Sequence, residues 1–123
     1  MIGIVVVRAG GLSLPASAQG LSTERLVEFC RDPWSAIWRE VGQLVCPSYI
    51  RGLIDGARLQ AIQTAGSIED HRAQLRFCVP ESASAADAIA VVLRYVEGTP
   101  ESRRGPAAAT VYVALAAAWP CNP

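Results

Sequence analysis

The sequence contains no lysine, and all 11 of its basic residues are arginines. It therefore offers no side chain for Schiff-base chemistry or for a lysine general base. The arginines are interspersed with 11 acidic residues, so that the formal net charge is zero and no basic block occurs. Because a nucleic acid or an anionic membrane binds through such a block, the sequence predicts neither as a partner.

The sequence also lacks the common patterns of catalytic and metal sites. It has one histidine, His71, and no Gly-x-Ser-x-Gly, glycine-rich phosphate loop, Cys-x-x-Cys, His-x-x-x-His or Glu-x-x-His. A catalytic site needs a nucleophile with a base, a pair of carboxylates or a metal ion. The sequence therefore predicts a binding protein rather than an enzyme, with no metal site and no cofactor.

Residues 1–18 have the composition of a secretory signal peptide. The apolar run 2–7 is followed by the small-residue cleavage pattern Ala-Ser-Ala at 16–18. No positive segment precedes the run and Arg8 interrupts it, so this leader is imperfect or truncated, and an N-terminal strand or tail is the alternative. We expect an exported domain that covers residues 19–123. No other stretch has the roughly 18 to 20 continuous apolar residues of a membrane span.

The chain has an even number of cysteines, and they lie far apart in the sequence. They are Cys30, Cys46, Cys78 and Cys121. In an exported protein this arrangement predicts two disulfides, whereas a cytosolic protein would keep four buried thiols. If the cysteines are oxidised, no thiolate is available as a nucleophile.

Apolar residues recur at helical spacing along most of the chain, which predicts an all-α bundle of four to five helices. The first helix should begin at Ser22 or Thr23, and Asp32-Pro33 should cap and open the second. Pro47 should break or kink that helix, because proline lacks a donor and clashes with the preceding turn. Helical spacing then continues until Gly66.

Residues 66–77 are polar and weakly periodic, which indicates a loop. Ser84-Ala-Ala-Asp87 resembles a capping box at the start of a helix over 84–97. A short charged connection, 98–105, leads to a last helix over 106–118, with Pro106 as its first residue.

The short connection predicts that the last two helices run antiparallel. Cys78 precedes the first of them and Cys121 follows the second, so both should lie at the same end of the hairpin. We therefore favour Cys78–Cys121, which leaves Cys30–Cys46. Because connectivity cannot be deduced from sequence alone, the two other pairings of four cysteines stay open.

Several short segments then match a known family in order along the chain. They are Cys30 in a short helix, Cys46-x-x-Tyr49-x-x-Gly52-x-x-Asp55, Phe77-Cys78-x-Pro80, Val92-Leu-Arg-Tyr95-Val96, Thr99-Pro100-Glu101 and Ala118-Trp119-Pro120-Cys121. Over roughly residues 26–121 the chain resembles the Rap/Tai-type immunity proteins of bacterial type VI secretion, which neutralise peptidoglycan-amidase effectors. Pro47 departs from the pattern, since a residue compatible with a helix is expected there.

The resemblance implies a periplasmic helical protein, often a homodimer, that plugs the active-site cleft of a secreted cysteine amidase. Its motif residues look structural, with the cysteines in disulfides, Gly52 at a close helix contact and the aromatic residues in the core. Recognition would then depend on charged loops between the apolar helices. The candidate contacts with the amidase are Glu101, Arg103 and Arg104 in one loop, and Glu69, Asp70 and His71 in the other.

A small periplasmic acid-stress chaperone is the alternative function. Such chaperones expose apolar surface when acidic groups titrate at low pH. The 11 acidic residues could do this, but they are scattered and balanced by arginines. Binding to exposed apolar surface that grows with acidification would favour the chaperone, and tight binding of one folded enzyme at neutral pH would favour the immunity protein.

Overall fold

The computed structural model describes residues 20–31 and 36–121, and for 36–43 it describes the backbone alone. The predicted leader, 1–18, therefore lies outside the described residues. So does the predicted helix opening at Asp32-Pro33. In the described part of the chain, four α-helices and two short 3-10 helices account for the regular structure, apart from one isolated β-bridge.

Helix α1, Thr23–Arg31, begins where the sequence predicts. The chain just before it runs antiparallel to residues 105–107 and forms the isolated bridge Ser22–Pro106. The Thr23 N–H donates to the Gly105 carbonyl at 2.9 Å. These contacts hold the start of α1 beside the start of the last helix, although the two segments are about 80 residues apart in the sequence.

Helix α2, Ala36–Ala65, runs continuously through Pro47, so of the two expectations for this residue, a break or a kink, the break is wrong. Proline removes one intrahelical hydrogen bond, but the residues on both sides of it are fixed in the core. Cys46 is 1% exposed and bonded to Cys30, and Ile50 is 2% exposed. Tertiary packing therefore outweighs the local cost of the proline.

Gly66 ends α2, as predicted. Its φ of +81° is a left-handed conformation that glycine adopts without a steric penalty, and its N–H donates to the Ile62 carbonyl at 2.8 Å. The predicted loop that follows contains a 3-10 helix, His71–Gln74, which packs against α2. The weak periodicity of this segment gave no sign of so short a helix.

The last two α-helices pack against each other, and they are α3, Ala85–Gly98, and α4, Ala107–Ala118. The predicted capping box is confirmed, because Ser84 and Asp87 each accept the other's backbone N–H. Helix α4 begins one residue later than predicted. Pro106 is its extended N-cap, since it also takes part in the bridge to Ser22.

The predicted disulfides are both confirmed. Cys78–Cys121 closes the open end of the α3–α4 hairpin, and Cys30–Cys46 joins α1 to α2. The backbone N–H of Cys78 also donates to the Trp119 carbonyl at 2.8 Å. The all-α fold with two disulfides is therefore the one that the sequence predicts.

One hydrophobic cluster receives side chains from all four α-helices and from Phe77. Phe77 is 4% exposed and packs edge-on against Tyr112, with the ring centroids 5.3 Å apart. The buried members of the cluster are Leu26, Val27, Cys46, Ile50, Phe77, Ala88, Val92, Val96, Ala107, Val111, Ala114 and Leu115. No helix in the described part of the chain is both long and apolar enough to cross a membrane.

Candidate partner-binding surfaces

The α3–α4 connection is a defined turn rather than an open loop. It contains the second 3-10 helix, Pro100–Arg104, which packs against α1 and α3. Two of the predicted contact residues, Glu101 and Arg104, are exposed on it. The structure therefore presents these two charges on a fixed piece of backbone, which lowers the entropy lost when a partner binds.

Arg103 in the same turn differs from its neighbours, because a carboxylate of this chain already engages it. Its guanidinium donates to Glu24 on α1 at 3.1 Å, and its side chain is 30% exposed. An ion pair that is this exposed contributes about 0–1 kcal/mol. Its clearer role is to orient the turn against α1.

The second predicted loop, before the first 3-10 helix, is held by local hydrogen bonds. The Ser67 hydroxyl donates to the Asp70 carboxylate at 3.0 Å and accepts the Asp70 N–H at 3.2 Å. His71 Nδ1 lies 2.6 Å from the Ile68 carbonyl. Because a carbonyl only accepts, this nitrogen carries the proton. The loop exposes Glu69 and leaves Ile68 67% exposed.

The structure does not bring the two predicted loops into one surface. The connection 98–105 lies at the end of the hairpin where α3 stops and α4 starts. His71 lies at the opposite end, where it lines one cavity together with Cys78. The 14 residues of α3 separate these ends by about 20 Å.

The motif on α2 has a different role from the one expected. Gly52 is exposed, and an added Cβ would meet no atom within 4 Å, so the expected close helix contact at Gly52 is wrong. Tyr49 is partly buried, and this burial raises the pKa of its hydroxyl. Asp55 is exposed and lies 3.8 Å from the Arg58 guanidinium. Half of this motif therefore faces outward.

A groove that runs along α2, beside residues 71–79 and the start of α3, was not predicted from the sequence. We call it the α2–α3 groove, and it consists of two open, adjoining cavities of about 260 and 290 Å³. Three residues line both cavities, and they are Ile54, Arg58 and Val79. The groove has no signature in the sequence, because its walls come from segments some 30 residues apart.

Two kinds of catalytic group are missing among the described residues. All four cysteines are in disulfides, and no described cluster of histidine, cysteine and acidic residues could hold a metal ion. His71 Nδ1 is engaged by a carbonyl. The surfaces described above can supply charge, hydrogen bonds and apolar contact area to another molecule.

Comparison with known proteins identifies one family. A family model described as "Rap1a immunity proteins" matches residues 22–121. The match includes all four α-helices and all four cysteines. Searches of curated proteins and of solved structures gave no significant match.

Proposed function

The chain belongs to the Rap1a immunity protein family, and we propose that it is a periplasmic immunity protein against a type VI secretion effector. In this proposal the effector is a peptidoglycan amidase, and the chain inhibits it by covering its active-site cleft without doing chemistry itself. The observation that carries the proposal is the extent of the family match, which covers the whole helical domain. The choice of an amidase as the target follows from the resemblance of the short motifs around the cysteines to the Rap/Tai-type immunity proteins.

The periplasmic location rests on two features. Both disulfides join residues that are distant in the sequence, and such bonds persist in an oxidising compartment such as the periplasm. Residues 1–18 have the composition of an export signal, and we propose that they are removed on export to leave the domain 19–123. Mass spectrometry of the chain isolated from the periplasm would give its first residue.

We propose that the charged turns at the two ends of the hairpin contact the amidase. Glu101 and Arg104 are exposed at one end, and Glu69 is exposed at the other. Arg103 and Asp70 already have partners within the chain, Glu24 and Ser67. Their main role in this proposal is to hold the turns in place, and their contact with the amidase is secondary. His71 can still offer its second ring nitrogen.

Charge reversal tests these contacts. Arg103→Glu combined with Arg104→Glu, and separately Glu69→Arg combined with Asp70→Arg, should each weaken amidase binding by about tenfold or more. Arg104→Glu alone separates a direct contact from loss of the Arg103–Glu24 pair. Arg94→Glu, an exposed reversal on α3, is the control and should bind normally. Normal affinity in both double variants would exclude these turns from the interface.

We also propose a homodimer, as the resemblance implies. Among the side chains that the structure describes, four large apolar residues are exposed and could be buried between two copies. They are Leu44, Leu59, Ile68 and Val113. Light scattering of the purified chain at micromolar concentration should give twice the mass of the mature domain, and a monomer mass would contradict the dimer.

The test of the function itself is affinity capture of the tagged domain from the cell envelope of its own organism, with mass spectrometry at neutral pH. We expect one folded cysteine amidase in stoichiometric amount. A broad set of unrelated proteins that grows as the pH falls would instead favour the acid-stress chaperone. Recovery of no amidase would contradict the immunity function.

A further inference from the structure

The α2–α3 groove has an apolar floor. Ile50 is 2% exposed and Ala88 is 5% exposed, and both line the first cavity, together with the partly buried Ile54. Phe77, which is 4% exposed, lines the second. Both cavities are open to solvent and together have the size of a small ligand site. A floor of this kind accepts aliphatic side chains of an incoming segment.

The rim of the groove is positive. Arg51 and Arg58 rise from α2 beside the first cavity, and Arg72 lies at the second, whereas the only acidic residue in the lining is Asp55. In the described part of the chain, no carboxylate lies within 4 Å of Arg51 or Arg72. Asp55 reaches Arg58 only at 3.8 Å, with both side chains more than half exposed. This weak pair leaves the guanidinium groups available for a carboxylate.

The distribution of charge selects the occupant. The first two arginines, Arg51 and Arg58, are seven residues apart on α2, which is about 10 Å along the helix axis. An extended chain covers this distance in about three residues. An acidic segment in an extended, polyproline-type conformation, which has three residues per turn, could therefore place one carboxylate at each arginine and an aliphatic side chain between them. A second copy of this chain fits poorly, because a symmetric contact would place the positive rim against itself.

We propose that the α2–α3 groove binds an extended acidic segment of the amidase effector. The segment places aliphatic side chains on the floor of the groove and two carboxylates about three residues apart at Arg51 and Arg58, and Arg72 adds positive charge at the second cavity. This proposal rests on the proposed immunity function and adds the groove to the two charged turns, one of which borders it at His71. The groove gives the chain a way to select one effector, since both the spacing and the sign of the charges must match.

The first test is the affinity of the chain for the amidase recovered by the envelope capture. Arg51→Glu and Arg58→Glu should each weaken binding by about tenfold or more, and the loss should shrink as salt is raised. Arg94→Glu changes the net charge by the same amount but lies outside the α2–α3 groove, so it should bind like the unmodified chain. Both target arginines are exposed, and unchanged thermal unfolding would show that the variants fold.

The second test identifies the segment. A photoreactive p-benzoylphenylalanine in place of Arg51 should crosslink to one stretch of the amidase that contains acidic residues about three apart, and one in place of Arg94 should not. Reversal of those acidic residues to arginine should restore affinity for Arg51→Glu. Normal affinity in both groove variants, or a crosslink to a stretch without acidic residues, would overturn the groove proposal while leaving the immunity function intact. An unmodified chain that binds no amidase would overturn both.

Discussion

At the residue scale, a small polar cluster joins the start of α1 to the start of α4. The Thr23 hydroxyl lies 3.0 Å from the Gly105 carbonyl and 2.8 Å from the Thr110 hydroxyl, and Thr23 is fully buried. The Thr23 hydroxyl is the donor to Thr110, whose own hydroxyl lies 3.5 Å from the Ser102 carbonyl. The cluster fixes α1 against α4 and supports the turn that carries Arg104.

Removal of the Thr23 hydroxyl should therefore cost stability. Thr23→Val keeps the shape of the side chain but leaves the Thr110 hydroxyl without its short partner, and we expect the free energy of unfolding to fall by about 1–3 kcal/mol. Urea denaturation followed by circular dichroism measures the change. The matched control is Thr64→Val, because the Thr64 hydroxyl bonds to Gln60 on an exposed surface and its loss should change stability by less than about 0.5 kcal/mol. Equal stability of Thr23→Val and the unmodified chain would show that the cluster is not stabilising.

Neither member of this cluster could be recognised in the sequence. Thr23 was predicted only as a possible start of α1, and Thr110 was not singled out, because a threonine is more often exposed than buried. Helix α4 gives a second example, because the apolar Ala108 is exposed while its neighbour Ala107 is buried. Helix α4 is apolar nearly all round, so its periodicity does not identify the face that meets the core.

At the scale of the elements, α3 is the helix whose start and buried face are most completely predicted by its own sequence. Its apolar stripe and its capping box both predict the observed start, and Val92 and Val96 are fully buried as their spacing indicates. Helix α2 shows the opposite case. A local rule predicts a break at Pro47, but the cross-link at Cys46 and the burial of Ile50 keep the helix continuous.

Because the capping box begins α3, its loss should be measurable. Ser84→Ala removes the acceptor of the Asp87 N–H, and we expect the free energy of unfolding to fall by about 1 kcal/mol. Urea denaturation gives the value. Ser82→Ala, an exposed change just before the helix, should have almost no effect. If the two variants lose equal stability, the capping box has no specific role.

The α2–α3 groove is the feature of the elements that the sequence does not predict. Helical spacing predicts that Ile50 and Ile54 face the core, but it does not predict the cavity that lies between them and Val79. The shape of a groove depends on how two elements that are distant in the sequence pack against each other. The charged turns, in contrast, could be located in advance, because charge is concentrated between apolar helices.

For the whole molecule, the two disulfides are the main covalent constraints on the described chain. Cys30–Cys46 closes a separation of 16 residues and Cys78–Cys121 one of 43. On the loop-entropy model they contribute about 3 and about 4 kcal/mol. Such amounts are a large part of the stability of a small domain. The pairing followed from the helix order, since the short connection placed Cys78 and Cys121 at one end.

Replacement of one pair at a time tests this ranking. Cys78→Ala with Cys121→Ala should lower the free energy of unfolding by about 4 kcal/mol, and Cys30→Ala with Cys46→Ala by about 3 kcal/mol. Thermal and urea unfolding of both variants give the comparison. If the unfolding midpoint does not change when Cys78–Cys121 is removed, this disulfide has no stabilising role.

The proposed function of the whole molecule is inhibition of a peptidoglycan amidase. The most direct measurement adds the purified mature chain, in increasing amounts, to the amidase recovered from the envelope and follows peptidoglycan cleavage at neutral pH. We predict that cleavage falls in proportion to the added chain and stops near a one-to-one ratio of the two proteins. An undiminished cleavage rate at a large excess of the folded, disulfide-bonded chain would contradict the account.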